Sequence, residues 1–251
     1  TSTVMPSEFD PLQFPRRLNL GCGFDLRQGY LNVDLQPWHK PDLIADVGKL
    51  DFLPAGYYEE ILAQDVLEHL PRMSTRKILV HWNRLLAPGG LLRLRLPDAL
   101  SILQLLAAPA NQSVAKQEGL IQFLFGTQGY TGDFHFTSFT AFLLRHYLQE
   151  TGYDVMAINA PDDCNLEATA RKMRSVHPHD VGDFPELLCI PGDAEFVREC
   201  YRSILKREGD TEGVQHYVSC LAETRMVRDA VIEQMLDSNE RKALADRNRN
   251  S

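Results

Sequence analysis

The run Leu18-Asn19-Leu20-Gly21-Cys22-Gly23, followed eleven residues after Gly23 by Asp34 at the end of Leu31-Asn32-Val33-Asp34, constrains this chain more than any other feature. A strand that stops in a glycine turn, with a carboxylate closing the next strand, is how an open α/β sheet holds a nucleoside. Glycine at 21 and 23 lets the backbone approach a ligand that any Cβ would push away. Asp34 is the group to accept hydrogen bonds from both hydroxyls of a ribose. A dinucleotide fold would add a third glycine, G-x-G-x-x-G, and place its acidic residue about 20 residues on. Here position 26 is Leu26 and Asp34 comes early, so a nicotinamide dehydrogenase is the disfavoured alternative.

The 251 residues suffice for one α/β domain and an appendage. With 26 basic against 34 acidic residues the net charge is -8, which argues against a nucleic-acid partner. No apolar run reaches the roughly 20 residues that span a bilayer, and Thr1 to Pro15 lacks the pattern of a signal peptide, so a soluble protein without membrane insertion is expected. The start at Thr1 without an initiator Met suits a piece of a larger protein. Cys22, Cys164, Cys189, Cys200 and Cys220 are an odd, scattered set with no C-x-x-C pair. They suggest neither a disulfide frame nor a zinc site, and fit a reducing cytoplasm.

Strand-like and helix-like segments alternate over the first two thirds, the pattern of a mainly parallel sheet covered on both faces. Expected strands are 17–20, 30–33, 43–45, 60–63, 91–96, 154–159 and 165–170. A helix over 73–86 carries Ile78, Leu79, Trp82 and Leu85 at helical spacing, with Ser74 as its cap and Pro88-Gly89-Gly90 as its stop. A second helix over 139–151 ends at Gly152 and feeds the sixth strand. The expected division is a domain over 14–174, a linker over 175–192 where periodicity fades, and an all-helical module over 193–245. The charged stretch 241–251 is expected to fray.

The opening segment resembles motif I of the class I S-adenosylmethionine-dependent methyltransferases. The resemblance continues in order through Leu43-Ile44-Ala45-Asp46-Val47, Glu60-Ile61-Leu62-Ala63-Gln64-Asp65-Val66-Leu67-Glu68-His69-Leu70 and Leu85-Leu86-Ala87-Pro88-Gly89-Gly90, over about 160 residues. It departs at Asn19, where most relatives carry Asp or Glu, and in the short span from Gly23 to Asp34, which is similar to a bacterial branch with a reduced first helix. The resemblance implies a Rossmann-like, seven-stranded, mainly parallel α/β sheet and an enzyme whose cofactor is S-adenosyl-L-methionine. By it Gly21, Cys22 and Gly23 line the methionine and ribose end, Asp34 holds the ribose diol, Asp46 and the Val47 amide address the adenine, and Gln64 offers a backbone contact.

Methyl transfer from a sulfonium is an in-line displacement, so alignment and exclusion of water are the enzyme's main tasks. A hydroxyl acceptor also needs its proton removed. Three candidates for that chemistry are His135 in the loop before the second helix, Asp98 at the end of the fifth strand, and His69 in the Glu-His-Leu sequence. Their bland readings are a locally packed histidine, an N-cap for a helix over 99–106, and a residue serving the fold or cofactor. The segment 123–135 resembles one in predicted methyltransferases encoded with bacterial surface-glycan enzymes. That resemblance implies O-methylation of a sugar hydroxyl, with a polyketide, lipid or amine acceptor, or a cofactor-binding scaffold, as alternatives. The tail resembles a widespread bacterial helical module found beside glycosyltransferases and suggests docking of a protein partner. Asp210 to Gly213 offers too few ligands for a calcium loop and is read as a capped turn.

Overall fold

The computed structural model describes residues 9–130, 132–176, 185–236 and 238–249. The chain divides into two compact units, Thr1–Val176 and His177–Ser251. The first holds seven strands: β1 (Arg17–Leu20), β2 (Leu31–Asp34), β3 (Leu43–Ile44), β4 (Tyr58–Gln64), β5 (Leu86–Pro97), β6 (Tyr153–Asn159) and β7 (Asn165–Lys172). Their order in the sheet is β3-β2-β1-β4-β5-β7-β6. All pairs from β3 to β5 are parallel, and β7 runs antiparallel to both β5 and β6. This is the expected Rossmann-like sheet. Its order reverses at β1, so a crevice opens outside the carboxyl ends of β1 and β4.

Side-chain alternation gives the sheet two unlike faces. Val33, Leu20, Ala63, Leu94 and Ala168 form one cross-strand row, and Leu31, Leu18, Ile61, Leu92 and Ala170 the next. Each is at most 3% exposed. Helices α1 (Thr75–Leu85) and α4 (Ala141–Glu150) bring Leu79, Trp82, Leu144 and Leu148 into the same core. Trp82 Nε1 donates to the Val47 carbonyl at 2.9 Å, and the Tyr153 hydroxyl donates to the Leu79 carbonyl at 3.0 Å, so both buried polar groups are satisfied.

The other face corrects the expectation of a sheet covered on both sides. It carries Arg17, Glu60, Arg93, Thr169 and Arg171, of which the three arginines are exposed, beside Asn19, Asn32 and Leu62, which are buried. Glu60 pairs there with Arg93 at 3.3 Å and accepts from the Tyr30 hydroxyl at 2.7 Å. No α-helix connects β1 to β2, β2 to β3 or β3 to β4. Between β1 and β2 a buried asparagine pair takes the place of a helix. Asn19 Nδ2 donates to the Asp25 carbonyl at 2.7 Å and to Asn32 Oδ1 at 3.0 Å. Asn32 in turn accepts from the Arg27 amide at 2.8 Å and donates to Asp42 Oδ2 at 2.8 Å. The two amides satisfy loop groups that a crossover helix would bond internally.

Smaller corrections follow from local geometry. Ser74 stands at the N-cap of α1 but makes no side-chain cap bond. Pro88-Gly89-Gly90 ends α1 yet lies inside β5, at an irregularity where the pairing jumps from Tyr58 with Leu86 to Glu60 with Leu91. A Cβ on Gly90 would meet the Ala87 and Glu59 carbonyl oxygens at 2.9 and 3.2 Å, which explains glycine at this crossing. Beyond β5 lie α2 (Ala99–Ala107) and α3 (Val114–Phe125).

The second unit contains α5 (Pro185–Leu188), α6 (Asp193–Cys200), a π-type turn over Tyr201–Leu205, α7 (Thr211–Ala222), α8 (Arg228–Leu236) and α9 (Asn239–Arg249). Its core joins Leu187, Phe196, Val197, Ile204, Val231 and Met235. The module therefore starts earlier than 193, because Leu187 of α5, placed in the linker by composition, is 2% exposed. The stretch expected to fray is helical through 249, tied back by Arg207, which donates to both Glu240 oxygens at 2.5 and 3.1 Å. Asp210 caps α7 through the Gly213 amide at 2.7 Å, as the capped-turn reading expects.

Candidate active site

The crevice holds a cavity of about 410 Å³ lined by the turn after β1, the end of β2, the segment after β4 and part of the loop before α4. That volume lies within the roughly 300–1,000 Å³ of small-molecule sites. Gly21 and Gly23 both adopt left-handed backbone, with φ of +59° and +50°. A Cβ on Gly21 would stand 2.6 Å from Val66 Cγ2, whereas one on Gly23 would meet nothing within 4 Å. Gly21 is thus required by packing, and Gly23 leaves room that a ligand can take. Between them Cys22 is 5% exposed, and burial, then Asp34, push its thiol up to about 12. It serves as a small apolar group rather than a nucleophile.

Asp34 is 7% exposed and organises the wall. Its Oδ2 accepts from the Gly23 amide at 2.8 Å, and its Oδ1 accepts from the Gln36 amide at 2.8 Å and lies 3.0 Å from His39 Nδ1. Asp46 lines the cavity while its Oδ1 accepts from the Gly48 amide at 2.9 Å, so it both faces the cleft and closes a turn. Val47 lines it too, with its carbonyl held by Trp82. Gln64 Oε1 accepts from Arg27 at 2.8 Å, which binds the loop after β1 to the end of β4. All seven residues expected at the cofactor therefore border one cleft.

The three candidate acid–base residues separate. Asp98 is the N-cap of α2: its Oδ1 accepts from the Leu100 amide at 3.2 Å and its Oδ2 from the Ser101 hydroxyl at 2.6 Å. It is 7% exposed and does not line the cleft, because both oxygens serve the helix start. His69 lines the cleft, and its ring packs edge-on against that of His135 with centroids 4.6 Å apart. Burial, then His135, lowers the His69 pKa. The loop before α4 is brought over this pair by Gly126, which ends α3 with φ of +77°. A Cβ there would lie 1.9 Å from the Asp133 carbonyl oxygen. The crossing lets the His135 amide donate to the Phe125 carbonyl at 3.2 Å and the Phe136 amide to the Glu68 carbonyl at 2.8 Å.

Several lining residues escape sequence reasoning. Asp65, with left-handed φ of +55°, forms an ion pair with Arg95, and both border the cleft. His39 and Tyr130 also line it. Glu68 is 1% exposed, and burial pushes its carboxyl up to about 8. Asp25, Asp34, Asp46 and Asp65 line the wall, and three of them are already paired: Asp25 with Arg27, Asp46 with Lys49 and Asp65 with Arg95.

Among known proteins, residues 184–245 match the family "Domain of unknown function (DUF4214)". No curated protein matches the chain. Solved structures that resemble it include a "possible exported protein" of Bordetella parapertussis, at 17% identity and a TM-score of 0.45 over 64% of this chain and 63% of that one. The chain thus spans just under two thirds of that protein. Another is the 1,6-didemethyltoxoflavin-N1-methyltransferase of Burkholderia thailandensis with bound S-adenosylhomocysteine, at 17% identity and 0.43 over 65% and 73%. A third is a SAM-dependent methyltransferase of Methanosarcina mazei, at 18% and 0.45 over 62% and 92%. At these levels the likenesses carry no functional argument, and the sheet order with its cleft stands on its own.

Proposed function

We propose that the chain is an S-adenosylmethionine-dependent methyltransferase that methylates a hydroxyl, in a sugar or glycan precursor. The observation that supports this reading is the carboxylate-lined cleft at a glycine turn that no helix follows. A dinucleotide needs a helix N-terminus for its pyrophosphate, and here β1 runs into an Asn-tethered loop. A cofactor with a sulfonium and an ammonium suits a wall that carries four carboxylates, three of them held by Arg27, Lys49 and Arg95. Asp34 would hold a ribose hydroxyl through the lone pair left on Oδ2 beside its Gly23 bond, while its Oδ1 serves the Gln36 amide and His39. Asp46 and Val47 would receive the adenine, and Gly21, Cys22, Gly23 and Gln64 the methionine end. His69 and His135 then mark the acceptor end, with Tyr130 as an aromatic wall for a sugar. Bound there, S-adenosylmethionine would supply an electrophilic methyl group in exchange for the hydroxyl proton, which would leave to solvent, and His69 and His135 would position the acceptor oxygen. The helical module would dock a protein partner.

Calorimetry with S-adenosylhomocysteine tests the cofactor. The wild-type chain is expected to bind it and to ignore reduced nicotinamide dinucleotide. Asp34→Asn, which keeps the shape of the side chain, should weaken binding by at least about tenfold, the size of one lost charge-assisted hydrogen bond of roughly 1.5–3 kcal/mol. Absence of binding to the wild-type chain overturns the reading.

A further inference from the structure

We propose that Glu68, His69 and His135 form a binding site for a divalent first-row transition-metal ion at the mouth of the cleft. That the ion would sit at the acceptor end rests on the methyl-transfer reading above; the site itself does not.

One ligand atom from each of the three residues lies within 4.8 Å of the other two. Ligand atoms that bind one ion at roughly 2.0–2.2 Å stand about 3–3.5 Å from one another, so a side-chain rotation closes the remaining gap. Both imidazoles are already set in the form a metal needs. His69 Nδ1 lies 3.3 Å from the Phe134 carbonyl, and His135 Nδ1 lies 3.0 Å from the Phe123 carbonyl. A carbonyl only accepts, so each Nδ1 carries the proton and each Nε2 keeps its lone pair. Backbone carbonyls that take the second ring N–H are the usual outer support of metal-bound histidines.

Glu68 supplies the independent observation. Its side chain is buried, and neither carboxylate oxygen has a hydrogen-bond partner among the described residues. A buried carboxylate left unpaired costs several kcal/mol, and such groups are normally paired or bound to a metal. Its own backbone carbonyl accepts from Phe136 beside His135, so the same loop contact that brings His135 in fixes Glu68 opposite it.

The donor set selects the ion. Two imidazoles and one carboxylate suit manganese to zinc, whereas magnesium and calcium prefer all-oxygen cages. Three protein ligands leave coordination positions open, and of the three His69 borders the cleft.

The full chain, stripped with a chelator and titrated with Co²⁺ alone, tests the site. One Co²⁺ per chain is expected, with visible d–d absorption that Zn²⁺ displaces and excess Mg²⁺ does not. Glu68→Gln and His135→Ala should each weaken binding by about 100-fold or more, beyond the 10–100-fold that loss of an outer-shell partner brings. His135 is half-buried, so its variant keeps the fold if Glu68→Gln does not. No uptake of Co²⁺, or uptake unchanged in a folded variant, overturns the proposal. S-adenosylhomocysteine binding in the same samples keeps the two readings apart: Co²⁺ without the thioether defeats the methyltransferase alone, and the thioether without Co²⁺ defeats the metal site alone.

Discussion

At the scale of single residues, the two motif glycines do different work although both have positive φ. An alanine at either position bears the left-handed penalty of about 1–2 kcal/mol. Gly21→Ala adds a clash with Val66, and overpacking of this kind costs about 1–3 kcal/mol more. Gly23→Ala adds no clash and should destabilise only by the backbone penalty, while its methyl occupies cleft volume and lowers S-adenosylhomocysteine affinity by at least about tenfold, the cost of about 1.4 kcal/mol. Urea unfolding and calorimetry separate the two effects, and adding Val66→Ala to Gly21→Ala should recover part of the lost stability. Equal stability losses in the two single variants would contradict this division. The candidate bases divide by the same kind of detail: Asp98 spends its oxygens on two helix-start donors, and His69 keeps a nitrogen for the cleft.

At the scale of elements, the β1–β2 connection is the most unusual part of the fold. Parallel strands normally need a crossover of a dozen or more residues, usually a helix. Here the loop is held by Asn19 and Asn32, which face each other across the pair. A carboxylate at 19 has no donor for the Asp25 carbonyl or for Asn32 Oδ1. Asn19→Asp should therefore destabilise the chain by about 1–3 kcal/mol or more, the cost of buried polar groups left unsatisfied. The measurement is the urea midpoint at neutral pH, and an unchanged midpoint would show that the tether contributes nothing. The sheet's partly exposed face follows the same logic of local pattern. Leu92-Arg93-Leu94-Arg95-Leu96 alternates, as half-exposed strands do, where a strand buried on both sides would read as a continuous apolar run.

At the scale of the whole molecule, the two units each own a core. A chain cut between Val176 and His177 is therefore expected to yield two folding fragments. The shorter one should keep a helical far-UV spectrum and melt at a lower temperature than the first unit, because a domain of its size buries a smaller share of its surface. A shorter fragment without helical signal would refute independent folding. Among the described residues no helix is long and apolar enough to cross a membrane. By itself the sequence determined the strands, the glycine turn, Asp34 at the end of β2 and the helical tail, because periodicity and turn chemistry act over a few residues. It also held a clue to the partly exposed face in the Arg-Leu alternation of β5, which the βα rhythm overrode. Only the tertiary structure decided that Asp98 caps a helix, that two asparagines replace one, and that Glu68 and His69 meet His135. Those outcomes depend on contacts between segments far apart in the chain, 66 residues from His69 to His135, and no local rule of spacing reaches so far.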